Sequence, residues 1–226
     1  MKRADQLRSL YTNTPPRYRV YPSLLKFPFT IKNASSPNAS KPWSVRGVLS
    51  PKFVALVREI EELVQLKESC RGDIVTPDIV EHFDQQRVWI ADGLTYLIVQ
   101  THNNLTEAGA YEGCCCLAAL LYHHVHFLSF VRGVQSGILA RLKRGLLITD
   151  LDKCWGDDIE LLLWVLFTAA AAENVTEDWF LAALRRTQKT LNPRPDLDRM
   201  KYILRRFLWN ERTSSPSCDK VYEKIV

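Results

Sequence analysis

The chain of 226 residues has only nine glycines, two methionines and no Cys-x-x-Cys pair. Its six cysteines form one run of three (Cys114–Cys116) and three isolated residues, so the spacing typical of structural zinc sites is absent. Free cysteine is among the most often buried residues, and we predict that the run packs inside a helix. Phosphate-binding loops of the types GxxxxGK[ST] and GxGxxG are also missing. We therefore predict that the chain is not an enzyme and has no catalytic residues, cofactor or metal ion.

A secretory leader and a long apolar run are missing as well. The residues that follow Met1–Arg3 contain no apolar segment of the kind that a signal peptide needs. The longest apolar run, residues 159–172, is interrupted by Glu160 and Thr168 and is too short to span a membrane. We expect an intracellular protein with reduced thiols and no membrane partner.

Extended alternation of apolar and polar residues is absent, which argues against β-strands. Seven of the 11 prolines fall within the first 51 residues, and we predict a flexible, basic arm over residues 1–47. Over residues 48–226 the apolar residues recur at helical spacing. We predict an all-α domain of about seven helices around a central apolar helix, IELLLWVLFTAAAA. The helices are expected near residues 51–64, 77–98, 106–131, 135–147, 159–172, 176–191 and 196–209.

Charge is distributed unevenly along the chain, although the net charge is only +5. Both ends are basic and the middle is acidic. The candidate interaction patch lies in the basic C-terminal third and consists of Arg185, Arg186, Lys189, Arg205 and Arg206. Such a cluster can contact phosphates or an acidic partner, or act as a nuclear import signal. The alternative is that these side chains form the solvated faces of core helices.

Three further groups could carry chemistry. Cys116, His123 and His126 share one helix face and could bind zinc or copper with His82 or His102, but half-buried or surface histidines are the simpler interpretation. Four carboxylates before the central helix could hold Mg²⁺ or act as acid and base, but helix capping and a solvated loop are the simpler interpretation: Asp150, Asp152, Asp157 and Asp158. Four tryptophans could line an apolar pocket or fill the core: Trp155, Trp164, Trp179 and Trp209.

The order of the helical segments resembles a known family. The segments are EGCCCLAALLY (112–122), LARLKRGL (139–146), ELLLWVLFTAAAA (160–172), DWFLAALRRT (178–187) and ILRRFLW (203–209), and Cys218–Asp219 follows near the end. This succession resembles the regulatory domain of fungus-specific transcription factors, the helical region that follows a binuclear zinc-cluster DNA reader. The resemblance covers residues 76–226.

The resemblance implies a nuclear domain that regulates RNA polymerase II transcription. None of the six cysteines has the arrangement of the zinc cluster, so we expect no sequence-specific DNA binding by this chain alone. The implied partners are other transcription factors or a second copy of the chain, and a small-molecule effector is compatible with the family. The alternative is a helical module that binds a small molecule or a partner and has no direct transcriptional role.

Overall fold

A computed structural model describes residue 43 and residues 47–71, 76–103, 106–127, 132–172 and 178–226. This part of the chain contains eight α-helices and no β-strand, which confirms the all-α prediction. The helices are α1 (Pro51–Ser69), α2 (Pro77–Asn103), α3 (Glu107–Phe127), α4 (Arg132–Ile148), α5 (Ile159–Ala172), α6 (Asp178–Thr190), α7 (Leu197–Leu204) and α8 (Glu211–Ile225). None of them is both long enough and apolar enough to cross a membrane. Most of the arm predicted over residues 1–47 lies outside the described residues.

Helix α5 is the central helix that the sequence predicts. Every residue from 161 to 170 is buried, and the helix packs against α3, α6, α7 and α8. The Trp164 indole N–H donates to the Leu208 carbonyl at 3.1 Å and fixes α5 to the segment after α7. Helix α3 is nearly as enclosed and packs against α1, α2, α4 and α5. The core is therefore built around two apolar helices in contact with each other.

The first two helices begin where the sequence predicts. The Ser50 hydroxyl accepts from the Phe53 N–H at 3.3 Å, and Pro51 and Pro77 are the first residues of α1 and α2. Proline suits this position because the missing N–H would have no partner inside the helix. The stripe Phe53, Leu56, Val57, Ile60 and Leu63 is buried.

A short π-helical turn, Asp150–Cys154, lies between α4 and α5. Trp155 follows it, is fully buried, and donates its indole N–H to the Thr149 hydroxyl at 3.0 Å. Its ring lies 4.2 Å from that of Tyr111, whose hydroxyl donates to the Asp158 carboxylate at 2.7 Å. These contacts hold α3, the π-turn and the start of α5 together.

The C-terminal helix α8 is additional to the seven that the sequence predicts. Its segment is rich in Ser and Thr and contains Pro216, a composition that disfavours a helix. Tertiary contacts override this preference, because Ser214, Cys218, Val221 and Ile225 form one buried stripe. The Asn210 side chain caps the helix by accepting from the N–H groups of residues 212 and 213. Helix α8 packs against α5, α6 and α7.

Trp43 belongs to the predicted arm and yet packs against the core. Its ring lies edge-on to Phe53, Trp164 and Phe207, with centroid distances of 5.7, 5.1 and 5.4 Å. Edge-to-face aromatic pairs add to the free energy gained from burying apolar area. Trp43 thus ties the segment before α1 to α5 and to the segment after α7.

We expect the Trp43→Ala variant to lower the free energy of unfolding by about 2 kcal/mol, less than for a fully buried tryptophan because Trp43 is half-buried. Urea denaturation followed by circular dichroism measures this change. Tyr202→Ala is the matched control, since Tyr202 is 62% exposed and its loss should change stability by less than about 0.5 kcal/mol. Equal stability of the two variants would show that the contacts of Trp43 do not stabilise the core.

Candidate functional site

A cavity of about 250 Å³ lies between α2, α3 and α4. Helix α2 contributes Ile98, Thr101 and His102. Helix α3 and its N-cap contribute Thr106, Gly109, Ala110, Gly113, Cys114 and Leu117. Helix α4 contributes Arg141, Arg144, Gly145 and Ile148. These positions recur at intervals of three and four, so each helix offers one face to the cavity.

The floor of the cavity is apolar and its rim is polar. Ile98, Cys114 and Leu117 are buried, with 2%, 1% and 5% of their surface exposed. His102 and Arg144 are exposed, and Arg141 is half-buried between the floor and the rim. A molecule in the cavity would therefore meet hydrocarbon at one end and cationic or polar groups at the other.

The electrostatic environment of the rim is positive. The pKa of His102 is lowered, mainly by desolvation and to a smaller extent by repulsion from Arg141 and Arg144. Desolvation and repulsion from Arg144 also lower the pKa of Arg141. Both effects oppose adding positive charge at this position. No acidic side chain is among the described residues that line the cavity.

Two glycines let the helices approach closely at the floor. A Cβ atom on Gly145 would lie 2.7 Å from the Cys114 sulfur, and one on Gly113 would lie 3.0 Å from the Thr101 hydroxyl oxygen. Separations this short force a neighbour to move. These contacts close the cavity on its inner side, where α4 and α2 meet α3.

Of the cavity residues, the sequence analysis singled out His102, as a candidate metal ligand, and Cys114, as part of a run expected to pack inside a helix. Two features of the sequence point to the other cavity residues. Gly109, Ala110 and Gly113 form a stripe of small residues on α3, and Arg141 and Arg144 lie three residues apart on α4. That signal is weak without a structure, since stripes of small residues usually mark close helix packing. The sequence does not reveal that the two helices are neighbours.

Contacts within the chain engage Arg185, Arg205 and Arg206 of the candidate interaction patch. Arg185 donates to the carbonyls of Ile225 and Lys224, at 3.2 and 2.6 Å, and caps the C-terminus of α8. Arg205 pairs with Glu211 and Arg206 with Glu160. The partners of Arg185 and Arg205 lie on α8, the helix that the sequence analysis did not predict.

The other two members of the patch, Arg186 and Lys189, are exposed on α6. Nearby, Lys201 pairs with Asp219 of α8 at 2.6 Å. The basic charge of this third of the chain is therefore partly neutralised locally, which weakens its attraction for an acidic partner. The patch as an interaction site stays a prediction.

The cysteine and histidine residues of α3 do not form a metal centre with other described residues, among which no three His, Cys, Asp or Glu side chains are placed to hold a metal ion. The thiols of the Cys114–Cys116 run are free and buried, as the prediction of helix packing requires. Desolvation raises the pKa of Cys116 well above its ordinary value, which disfavours the thiolate that a metal needs. His126 contacts the Thr213 hydroxyl at 3.2 Å.

The carboxylates before α5 have different environments. Asp158 is buried and accepts the hydrogen bond from Tyr111, whereas Asp157 is exposed. Asp150 has a φ of 45° and lies 3.6 Å from the Lys153 ammonium. The side chain of Asp152 lies outside the described residues.

The four tryptophans do not line the cavity. Trp155 and Trp164 are fully buried with their N–H groups bonded, so they fill the core. Trp179 and Trp209 are half-buried, and Trp209 stacks near Phe167 with a centroid distance of 6.2 Å.

No protein-family model matches this chain, and searches of curated proteins and of solved structures give no significant match. The resemblance to the regulatory domain of fungus-specific transcription factors therefore stays a prediction that rests on the order of the helical segments.

His123 provides a direct test of the metal hypothesis. It is fully buried, and neither ring nitrogen has a hydrogen-bond partner. An unbonded polar group in a core costs free energy, so we expect His123→Leu to leave the free energy of unfolding at pH 7 unchanged or to raise it by about 1 kcal/mol. Urea denaturation with parallel zinc analysis measures both quantities.

The advantage of His123→Leu should grow as the pH falls from 7 to 5. Burial holds the pKa of His123 well below 6.5 in the folded state, whereas in the unfolded chain the histidine binds a proton near pH 6.5. The wild-type protein therefore loses stability below that pH and the variant loses less. Val125→Leu, an exposed change on the same helix, is the control and should be neutral at both pH values. A loss of stability accompanied by loss of bound zinc would identify His123 as a metal ligand instead.

Proposed function

We propose that this chain is a regulatory domain of transcription that acts in the nucleus through partner proteins or a second copy of itself, and that it takes a small-molecule effector between α2, α3 and α4. The observation that carries the effector is the cavity, which combines an apolar floor with a cationic rim. Ligand sites typically pair a mostly apolar concave surface with a few converging polar groups. The order of the helical segments along an all-α chain supports the transcriptional role.

The packing of α3 supports a link between effector and regulation. One face of α3 lines the cavity, and the same helix packs against the central helix α5. A ligand that favours one arrangement of α3 shifts the population of the whole bundle by its difference in affinity for the two arrangements. Partner binding on the outer helices would then respond to the effector.

The alternative is a helical module that binds a small molecule or a partner with no direct transcriptional role. The same cavity favours ligand binding under both hypotheses. The two differ only in whether the chain changes transcription when it is brought to a promoter.

A reporter assay separates the two hypotheses. We expect the full chain, fused to a heterologous DNA-binding domain, to change transcription of a reporter in fungal cells. Ala110→Leu should alter that activity because the larger side chain fills the cavity. Ala140→Leu is the matched control, since Ala140 is exposed on α4 and should leave the activity unchanged.

The outcomes of this assay are distinct. No change of reporter transcription by the wild-type fusion, with protein levels verified, would reject the transcriptional role. Equal activity of wild type and Ala110→Leu would reject the cavity as the effector site.

A further inference from the structure

We infer that the cavity between α2, α3 and α4 takes a neutral, largely apolar small molecule, which lies against Ile98, Ala110 and Leu117 and makes no ion pair with the chain. This inference rests on the proposed function, because it names the chemical class of effector that the same cavity would take. Three properties of the cavity support it: the hydrocarbon of the lining, the bonds that its polar groups already make, and its volume.

Most of the inner surface of the cavity is hydrocarbon. Ile98 and Leu117 are buried, with 2% and 5% of their surface exposed. Helix α3 also contributes Ala110 and two glycines, whose small size leaves room for a ligand. Ile148, at the end of α4, adds further apolar surface to the lining. Burial of apolar area is therefore the main favourable free energy that the cavity offers to a ligand.

The two threonine hydroxyls of the lining are already bonded within the chain. The Thr101 hydroxyl donates to the Leu97 carbonyl at 2.9 Å, and the Thr106 hydroxyl accepts from the Gly109 N–H at 3.1 Å. Burial raises the pKa of the Cys114 thiol, which therefore stays neutral. A ligand needs few polar groups of its own here, because these groups have their partners without it.

An anionic ligand has no free partner at the inner end of the cavity. Arg141 is engaged within the chain. Arg144 is exposed, and water and salt screen an exposed charge. The first N–H groups of α3 belong to Glu107 and Ala108, which are exposed and do not line the cavity, so they form no anion site inside it. We therefore expect burial of an ionised acid to cost more free energy than these groups return.

A cationic ligand is disfavoured by the charge of the rim. Arg141 and Arg144 make the rim positive, and no acidic side chain is among the described residues that line the cavity. Desolvation and these two arginines lower the pKa of His102, so this side chain is neutral at pH 7 and can donate or accept one hydrogen bond. The ligand that suits these groups is neutral and has at most one polar group near the rim.

The volume of about 250 Å³ limits the size of the ligand. An apolar cavity of roughly 150 Å³ holds benzene, so this cavity corresponds to a ligand of roughly ten non-hydrogen atoms. Indole and 2-phenylethanol are neutral probes of about this size. Phenylacetate and 2-phenylethylammonium keep the ring of 2-phenylethanol and add a negative or a positive charge.

Calorimetric titration of the full chain with these four compounds tests the inference. We expect at least one of the neutral probes to bind with a Kd below about 1 mM and to raise the melting temperature. Phenylacetate and 2-phenylethylammonium should bind about tenfold more weakly than 2-phenylethanol or not detectably. Arg144→Gln should leave binding of the neutral probe unchanged, because a neutral ligand does not depend on that charge.

Two pairs of variants locate the bound probe. Ala110→Leu fills the cavity and should abolish binding, whereas Ala140→Leu, an exposed change on α4, should bind as the wild type does. Ile148→Gln should weaken binding by about threefold, since it removes apolar surface from the lining. Leu147→Gln is its matched control, because Leu147 is 62% exposed and does not line the cavity. Circular dichroism verifies the fold of each variant, and the second pair decides the location if Ala110→Leu is not folded.

Several results would overturn the inference, and they separate it from the proposed function. A charged probe that binds as tightly as 2-phenylethanol, and is lost in Ala110→Leu, would reject the neutral class and retain the cavity as an effector site. Loss of neutral-probe binding in Arg144→Gln would likewise reject a ligand held by apolar contacts. Binding that Ala110→Leu leaves intact, or equal affinity of Ile148→Gln and Leu147→Gln, would place the probe outside the cavity. No binding of either neutral probe would overturn the assigned class, while the reporter assay with Ala110→Leu tests the effector site independently.

Discussion

The rest of this fold depends on enclosing α5, a helix of 14 residues that offers almost no polar face to water. Burial of a residue such as leucine or phenylalanine contributes about 1.5–3 kcal/mol, so exposing any side of this helix would be costly. Four helices surround it, and the Trp164 N–H bonded to the Leu208 carbonyl fixes their register on one side. Trp43 covers the same region from the segment before α1. Enclosure of one helix thereby brings Trp43 and the C-terminal helix α8 into one core.

The fold could be predicted where local signals and the tertiary structure agree. Ser50 with Pro51, and Pro77, mark helix starts because their chemistry acts within one turn. The apolar run of α5 marks a central helix because no amphipathic surface helix has that pattern. Helix α8 could not be predicted, since its Ser, Thr and Pro residues disfavour a helix and the stability comes from contacts with α5, α6 and α7.

The same reasoning explains why the candidate site was largely hidden in the sequence. The five cations of the predicted patch are conspicuous as a cluster of charge, yet Arg185, Arg205 and Arg206 serve contacts within the chain. Arg141 and Arg144 are only two charges in a mixed segment, and their setting is decided by α2 and α3. Charge clustering along a sequence reports composition, whereas a binding site depends on which faces the packing brings together.

The position of the cavity relative to the core decides how a ligand there can act. Helices α2 and α4 reach α5 mainly through α3, which contacts all three. At Gly145 the backbone of α4 approaches Cys114 of α3 closely, and at Gly113 the backbone of α3 approaches Thr101 of α2 in the same way. Because close-packed interfaces deform in discrete steps, we expect a movement of α2 or α4 to pass to α3 and from there to α5, which contacts the outer helices α6, α7 and α8.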